Sequence, residues 1–122
     1  ERISNALGGR SSASPFNRAT IALIWGWVAF TSEASNLVTG DRKRNNASPT
    51  LGAVSVDLDV FVWDRRTRKT ECVSISSDGV QANGMSWQPN ISADGRFVAF
   101  VSAATNLVAG DRNKYVDIFV FD

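Results

Sequence analysis

The chain contains itself twice. The stretch Val28-Ala29-Phe30-Thr31-Ser32-Glu33-Ala34-Ser35-Asn36-Leu37-Val38-Thr39-Gly40-Asp41-Arg42 returns as Val98-Ala99-Phe100-Val101-Ser102-Ala103-Ala104-Thr105-Asn106-Leu107-Val108-Ala109-Gly110-Asp111-Arg112, an offset of 70 residues. The offset holds back to the start, where Glu1-Arg2-Ile3-Ser4 lies over Glu71-Cys72-Val73-Ser74 and Gly9 over Gly79. Past the aspartates it falls to 58: Asp59-Val60-Phe61-Val62-Trp63-Asp64 lies over Asp117-Ile118-Phe119-Val120-Phe121-Asp122. The first copy therefore carries a 12-residue insertion, near residues 43–54, and the underlying unit is about 58 residues. A unit of this size, repeated, buries its faces by stacking on its neighbours.

Within each unit, short runs rich in Val, Ile, Phe and Trp alternate with Gly, Asn, Asp, Ser and Pro, the period-2 pattern of strands. No stretch has the 3.6-residue period of an amphipathic helix. Four strands are expected per unit. Ala19–Leu23 matches Pro89–Ala93, 26–32 matches 96–102, and Leu58–Asp64 matches Val116–Asp122. Thr70–Ser76 is the fourth, and its homologue is Glu1–Asn5. Asp94-Gly95 and Asp64-Arg65-Arg66-Thr67-Arg68-Lys69 read as hairpin turns, and Ser77–Gln88 as the crossing between units. Repeated four-stranded antiparallel units fit an all-β fold of β-propeller-type blades, about two per chain. A β-sandwich is the main alternative. Residues 19–76 form the first blade and 89–122 a second lacking its outer strand, with residues 1–5 a spare outer strand. Val28, Phe30, Phe61, Val62, Val98, Phe100, Phe119 and Val120 are expected to be buried between sheets.

At these residues the chain resembles a known family. Ile91-Ser92-Ala93-Asp94-Gly95-Arg96-Phe97-Val98-Ala99-Phe100-Val101-Ser102, followed by Ala104-Thr105-Asn106-Leu107-Val108-Ala109-Gly110-Asp111 and Asp117-Ile118-Phe119-Val120, resembles the TolB-like, WD-repeat-like β-propeller repeat of bacterial proteins. The shared parts are a Ser-x-Asp-Gly-Arg turn, an Ala-Phe-x-Ser strand end and an Asp-Ile-Phe-Val strand. The first copy departs from the pattern at Ala22-Leu23-Ile24-Trp25-Gly26, where the polar turn has become apolar. The resemblance implies a binding scaffold and favours a periplasmic or secreted location.

Composition narrows the chemistry. The 122 residues are 43% hydrophobic and 20% charged with a net charge of +1, the balance of a soluble globular domain and not of a nucleic-acid-binding one. No His is present, which removes the usual general base and the commonest transition-metal ligand. A single cysteine, Cys72, sits in a strand-like run and reads as a small buried hydrophobe. No apolar run reaches the ~18–20 residues of a membrane span.

Three constellations bear on function. Asp111, Asn113 and Asp117 have the spacing that opens an oxygen-rich calcium loop. However, Lys114 stands within it and no Glu follows, so a structural loop with side chains bonded to backbone amides is the competing reading. Arg65, Arg66, Arg68 and Lys69, with Arg42, Lys43 and Arg44 elsewhere, form a basic group, but no aromatics interleave it, and it reads as a solvated hairpin tip. Ser76-Ser77-Asp78-Gly79 has the ingredients of a sialidase Asp-box without its spacing.

The expected function is a non-catalytic β-propeller module that binds a protein or small ligand, with no catalytic residues and no cofactor, calcium at the loop excepted. The alternatives are the propeller portion of a hydrolase-type enzyme whose catalytic residues lie elsewhere, and a truncated structural repeat protein with no selected ligand. Propellers have 4–8 blades, so two-blade chains are expected to form a homo-oligomer, by ring closure or strand exchange. The interface residues are Glu1, Ile3, Ile24, Trp25, Ile118 and Val120. In that assembly residues 1–5 add to the sheet containing 117–122.

Overall fold

A computed structural model describes residues 19–22, 26–32, 37–38, 58–113 and 115–122. Among them the chain is all-β, with seven strands and no helix. The strands are β1 (Ala19–Ala22), β2 (Trp27–Ser32), β3 (Asp59–Asp64), β4 (Lys69–Cys72), β5 (Ser86–Ile91), β6 (Val98–Ser102) and β7 (Asp117–Phe121). They form two antiparallel meanders, β1-β2-β3-β4 and β5-β6-β7. Among the described residues no helix is long and apolar enough to cross a membrane. The expected insertion at 43–54, the strand at residues 1–5 and the apolar turn at Ile24 and Trp25 lie outside the described residues.

The repeat is carried into register. Phe30 faces Phe61 across β2 and β3, and Phe100 faces Phe119 across β6 and β7. Both pairs stack, with ring centroids 5.7 and 6.0 Å apart. Such offset aromatic pairs stabilise a sheet beyond the area they bury.

Strand alternation then decides what each sheet shows to the other. In the first sheet Ala29, Val60, Val62 and Val73 point one way, and Phe30, Phe61 and Trp63 the other. The first face packs on Val98, Phe100, Phe119 and Phe121 of the second sheet, with Leu107 and Ala104 completing the core. By the repeat, Phe100 and Phe119 are the homologues of Phe30 and Phe61. The aromatic face of the second sheet is thus laid on the aliphatic face of the first, so the two sheets stack in the same sense. Leu37 and Leu107, one per copy, are buried beneath the aromatic faces of their own sheets.

This stacking corrects one expectation. Val120 is not buried but 64% exposed, and its neighbour on the same face, Ile118, is 76% exposed. They occupy the places of Val62 and Val60, which are covered in the first sheet because the second lies on them. The corresponding face of the second sheet has no further sheet upon it among the described residues. Val62, Val28 and Phe119 are half-buried, and the other expected core residues are buried.

Two strands depart furthest from the expected bounds, the others by one or two residues. The fourth strand is Lys69–Cys72 rather than Thr70–Ser76, because Val73 to Ser76 leave the ladder to begin the crossing. β5 starts at Ser86, not Pro89. A register shift between Trp87 and Asn90, with Gln88 at φ 51°, accommodates Pro89, which has no N–H for the ladder.

Candidate functional site

The two sheets leave a groove between them at the end where β2 begins and β6 begins. It encloses about 260 Å³. Its floor is apolar: Val62 and Val73 from the first sheet, Val98 and Phe121 from the second. Trp27 forms one wall, and Asp64, Lys69, Glu71 and Arg96 supply charge of both signs around it. An apolar floor with a few convergent charges is the usual form of a small-ligand site.

The turns that shape this groove have explicit chemistry. In the Ser92-Ala93-Asp94-Gly95-Arg96 turn, the Ser92 hydroxyl donates to Asp94 Oδ1 at 2.6 Å. The same carboxylate oxygen accepts the Arg96 N–H at 3.1 Å, and Ser92 Oγ accepts the Phe97 N–H at 3.0 Å. These bonds, the Ser92 one foremost, hold the Asp94 carboxyl below its ordinary pKa. The Ser-x-Asp-Gly pattern therefore closes a hairpin and does not present a free carboxylate for chemistry. Opposite, the neighbouring Trp27 side chain foremost, then the backbone of Arg66 and Thr67, hold the Asp64 carboxyl below its ordinary pKa, and its Oδ1 accepts the Arg66 N–H at 2.8 Å. Arg96 pairs with Asp122 at 3.0 Å, depressing the aspartate and raising the arginine. Its guanidinium also lies 4.9 Å from the Phe97 ring centre. Both members of the pair are exposed, so the pair orients Arg96 and adds little stability.

A second polar constellation sits at the other end of β3. Asp59, which is 2% exposed, accepts the Ser74 hydroxyl at 2.8 Å and the Gln81 amide at 3.4 Å. Ser74 Oγ in turn accepts the Val60 N–H at 3.2 Å. Here a buried carboxylate is satisfied by hydrogen bonds, as burial demands. Nearby, Asn83 and Asn106 clip the crossing between sheets to the loop after β6. Asn106 accepts the Asn83 N–H at 2.9 Å and donates to Gln81 O at 2.9 Å, while Asn83 bonds both ways with Thr105. These are structural locks. The repeat offered a signal for them, since Asn106 recurs as Asn36 and Asp59 as Asp117, but residue type alone gave no role.

The residues expected at a calcium loop are arranged as a hydrogen-bonded turn. The Asn113 amide nitrogen donates to both oxygens of Asp117, at 3.4 and 3.1 Å, and its oxygen accepts the Tyr115 N–H at 2.9 Å. Asn113 thus spends both ends of its amide within the loop. Asp111 Oδ2 is enclosed and has no hydrogen-bond partner among the described residues. Among the described residues no three His, Cys, Asp or Glu side chains cluster as metal ligands. Because calcium would have to displace the Asn113 contacts, millimolar calcium is expected to leave the melting temperature unchanged. A rise of several degrees that Asp117→Ala abolishes would promote the loop to a metal site.

The remaining candidates separate. Of the interface residues, Ile118 and Val120 stand exposed on β7, whereas Glu1, Ile3, Ile24 and Trp25 lie outside the described residues. Arg65, Arg66, Arg68 and Lys69 are exposed at the β3–β4 hairpin, and Arg42, Lys43 and Arg44 lie outside the described residues. Ser76 caps its own turn, its hydroxyl oxygen accepting the Val80 N–H at 3.1 Å. Cys72 is half-buried, with its sulfur 3.5 Å from Ser74 Oγ. Comparison with protein-family models, with curated proteins and with solved structures finds no match.

Proposed function

We propose that the chain is a non-catalytic interaction module of the β-propeller type, related to the TolB-like repeats it resembles, which binds a small ligand or peptide and works as a homo-oligomer. The observation that carries this reading is the stacking sense. Each sheet offers an aliphatic face forward and an aromatic face backward, which is what a closed series of blades requires, and the second sheet's forward face is apolar, with no further sheet upon it among the described residues. Exposed apolar patches of this kind mark contacts. The groove supplies the binding element. Arg96 is held by Asp122 and Asp64 by the Arg66 backbone, and among the described residues no nucleophile–base pair stands in the groove.

The test is a thermal-shift and tryptophan-fluorescence panel of amino acids, short peptides and oligosaccharides, run beside ester, peptide and glycoside hydrolysis assays. A saturable shift that Lys69→Ala or Glu71→Ala weakens is the expected result. Turnover by the isolated chain would replace this reading with an enzyme, and silence across the panel would remove the ligand-binding role.

A further inference from the structure

The charged side chains around the groove divide into two kinds. Arg96 is committed, its Nε to one oxygen of Asp122 at 3.0 Å and a terminal nitrogen to the other at 3.3 Å. Asp64 is committed to the Arg66 N–H at 2.8 Å. Lys69 and Glu71 also line the groove, but among the described residues neither side chain enters a hydrogen bond or an ion pair. They alternate with Thr70 and Cys72 along β4, so both project from one face of the sheet. Two residues along a strand, their Cα atoms lie roughly 6.6 Å apart. A cation and a carboxylate thus stand side by side, each with its hydrogen-bonding capacity unspent.

Beside them lies apolar surface that neither sheet covers. Glu71 is opposite Val62 in the ladder, and Lys69 is opposite Asp64, whose other neighbour is Trp27. On the facing sheet Val98 pairs with Phe121. Val60 is fully buried in the core between the sheets, whereas Val62, two residues on and on the same face of β3, is only half-buried, as is Phe121. The sheets therefore part at Val62, and the slot they leave is apolar with charges of both signs at its rim.

We propose, on the binding-module reading above, that this slot takes a free α-amino acid with an apolar side chain, of the size of leucine or phenylalanine. Its carboxylate accepts from the Lys69 ammonium, its own ammonium donates to the Glu71 carboxylate, and its side chain enters between Val62 and the Val98–Phe121 pair, towards Trp27. A zwitterion with an apolar group on the same carbon is the small molecule whose charges match this arrangement. Charge-assisted hydrogen bonds of about 2.8 Å at each end let it bridge side chains on alternate strand residues. Lys69 and Glu71 are exposed, so the charged end stays at the wet rim and only the apolar end leaves water. The groove encloses about 260 Å³. That lies below the about 300–1,000 Å³ of sites for drug-sized molecules and suits a single amino acid.

Calorimetric titration of the full chain with L-phenylalanine and L-leucine tests the assignment. Saturable binding of both is expected. Phenylpropanoate, which lacks the ammonium, and phenethylamine, which lacks the carboxylate, are each expected to bind at least about tenfold more weakly, the loss of one charge-assisted hydrogen bond. L-Serine keeps both charges but not the apolar group and is expected to show no saturation. Lys69→Gln is expected to weaken phenylalanine by a similar factor and leave phenethylamine unchanged. Glu71→Gln is expected to weaken phenylalanine and leave phenylpropanoate unchanged. Both variants alter exposed side chains and are expected to keep the circular dichroism spectrum of the wild type. Absence of amino-acid binding, equal binding of the one-charge analogues, or phenylalanine binding that survives both substitutions would overturn the proposal. A peptide or oligosaccharide that binds where amino acids do not would sink the amino-acid assignment and leave the binding module standing. Silence across the whole panel would remove both.

Discussion

Replacing Phe100 with Ala is expected to destabilise the fold by about 3–5 kcal/mol, the range for deleting a buried aromatic ring and leaving a cavity. Phe100 is 3% exposed and sits on β6, the middle strand of its sheet. It stacks on Phe119 and belongs to the core that joins the two sheets. Its loss removes contacts inside one sheet and between both. Against a typical domain stability of about 5–15 kcal/mol, that is a large share. A urea titration is expected to show a lower midpoint with an unchanged slope. Val120→Ala, on the exposed face of the neighbouring strand, is expected to stay within about 0.5 kcal/mol. A loss under about 1 kcal/mol at Phe100 would mean that the sheet faces have been assigned the wrong way round.

The contrast between Phe100 and Val120 also marks how far the sequence could be read. Alternation along Asp117–Phe121 gives two faces, and both are apolar, so pattern alone does not say which is covered. The repeat even misleads here: Val62 and Val120 are homologous, but the first has a sheet in front of it and the second does not. Strands, their order and the hairpin at Asp64–Lys69 were legible because hydrophobic period and turn residues are local signals. The start of β5 was not, since Pro89 reads as a strand opener and the irregularity at Gln88 is set by the ladder with β6.

The polar locks were hidden for a different reason. Asp59 and Ser74 lie 15 residues apart and meet only once β4 has folded back on β3. In sequence, an Asp opening a strand looks like a solvated turn residue. The loop at Asp111, Asn113 and Asp117 shows the converse, where oxygen spacing is legible but does not determine whether the oxygens face a cation or an amide. The groove was not foreseen at all. Its residues come from five strands and two hairpin turns, and their convergence depends on the stacking of the sheets.

The turn at Gly95 gives the second large effect. Gly95 has φ +75°, and a Cβ built on it would fall 1.2 Å from Cε3 of Trp27. Gly79 has nearly the same backbone, φ +79°, with nothing within 4 Å. Both positions lie in the left-handed region, where a side chain costs roughly 1–2 kcal/mol. Gly79→Ala is therefore expected to cost about 1–2 kcal/mol and no more. Gly95→Ala adds an overpacking cost of about 1–3 kcal/mol, because the methyl group and the indole cannot share the space. Trp27 is half-buried and lines the groove beside Asp64, Val62 and Val98, which limits how far the indole can swing aside. The total at Gly95 is expected to reach about 2–5 kcal/mol. Trp27→Ala would relieve the collision, so the double variant is expected to lose less than the two single losses together. Denaturant titrations of the four proteins measure that coupling. Equal losses at Gly95 and Gly79, or strict additivity with Trp27→Ala, would show that the indole does not lie on the Gly95 turn, and with it would go the wall of the groove.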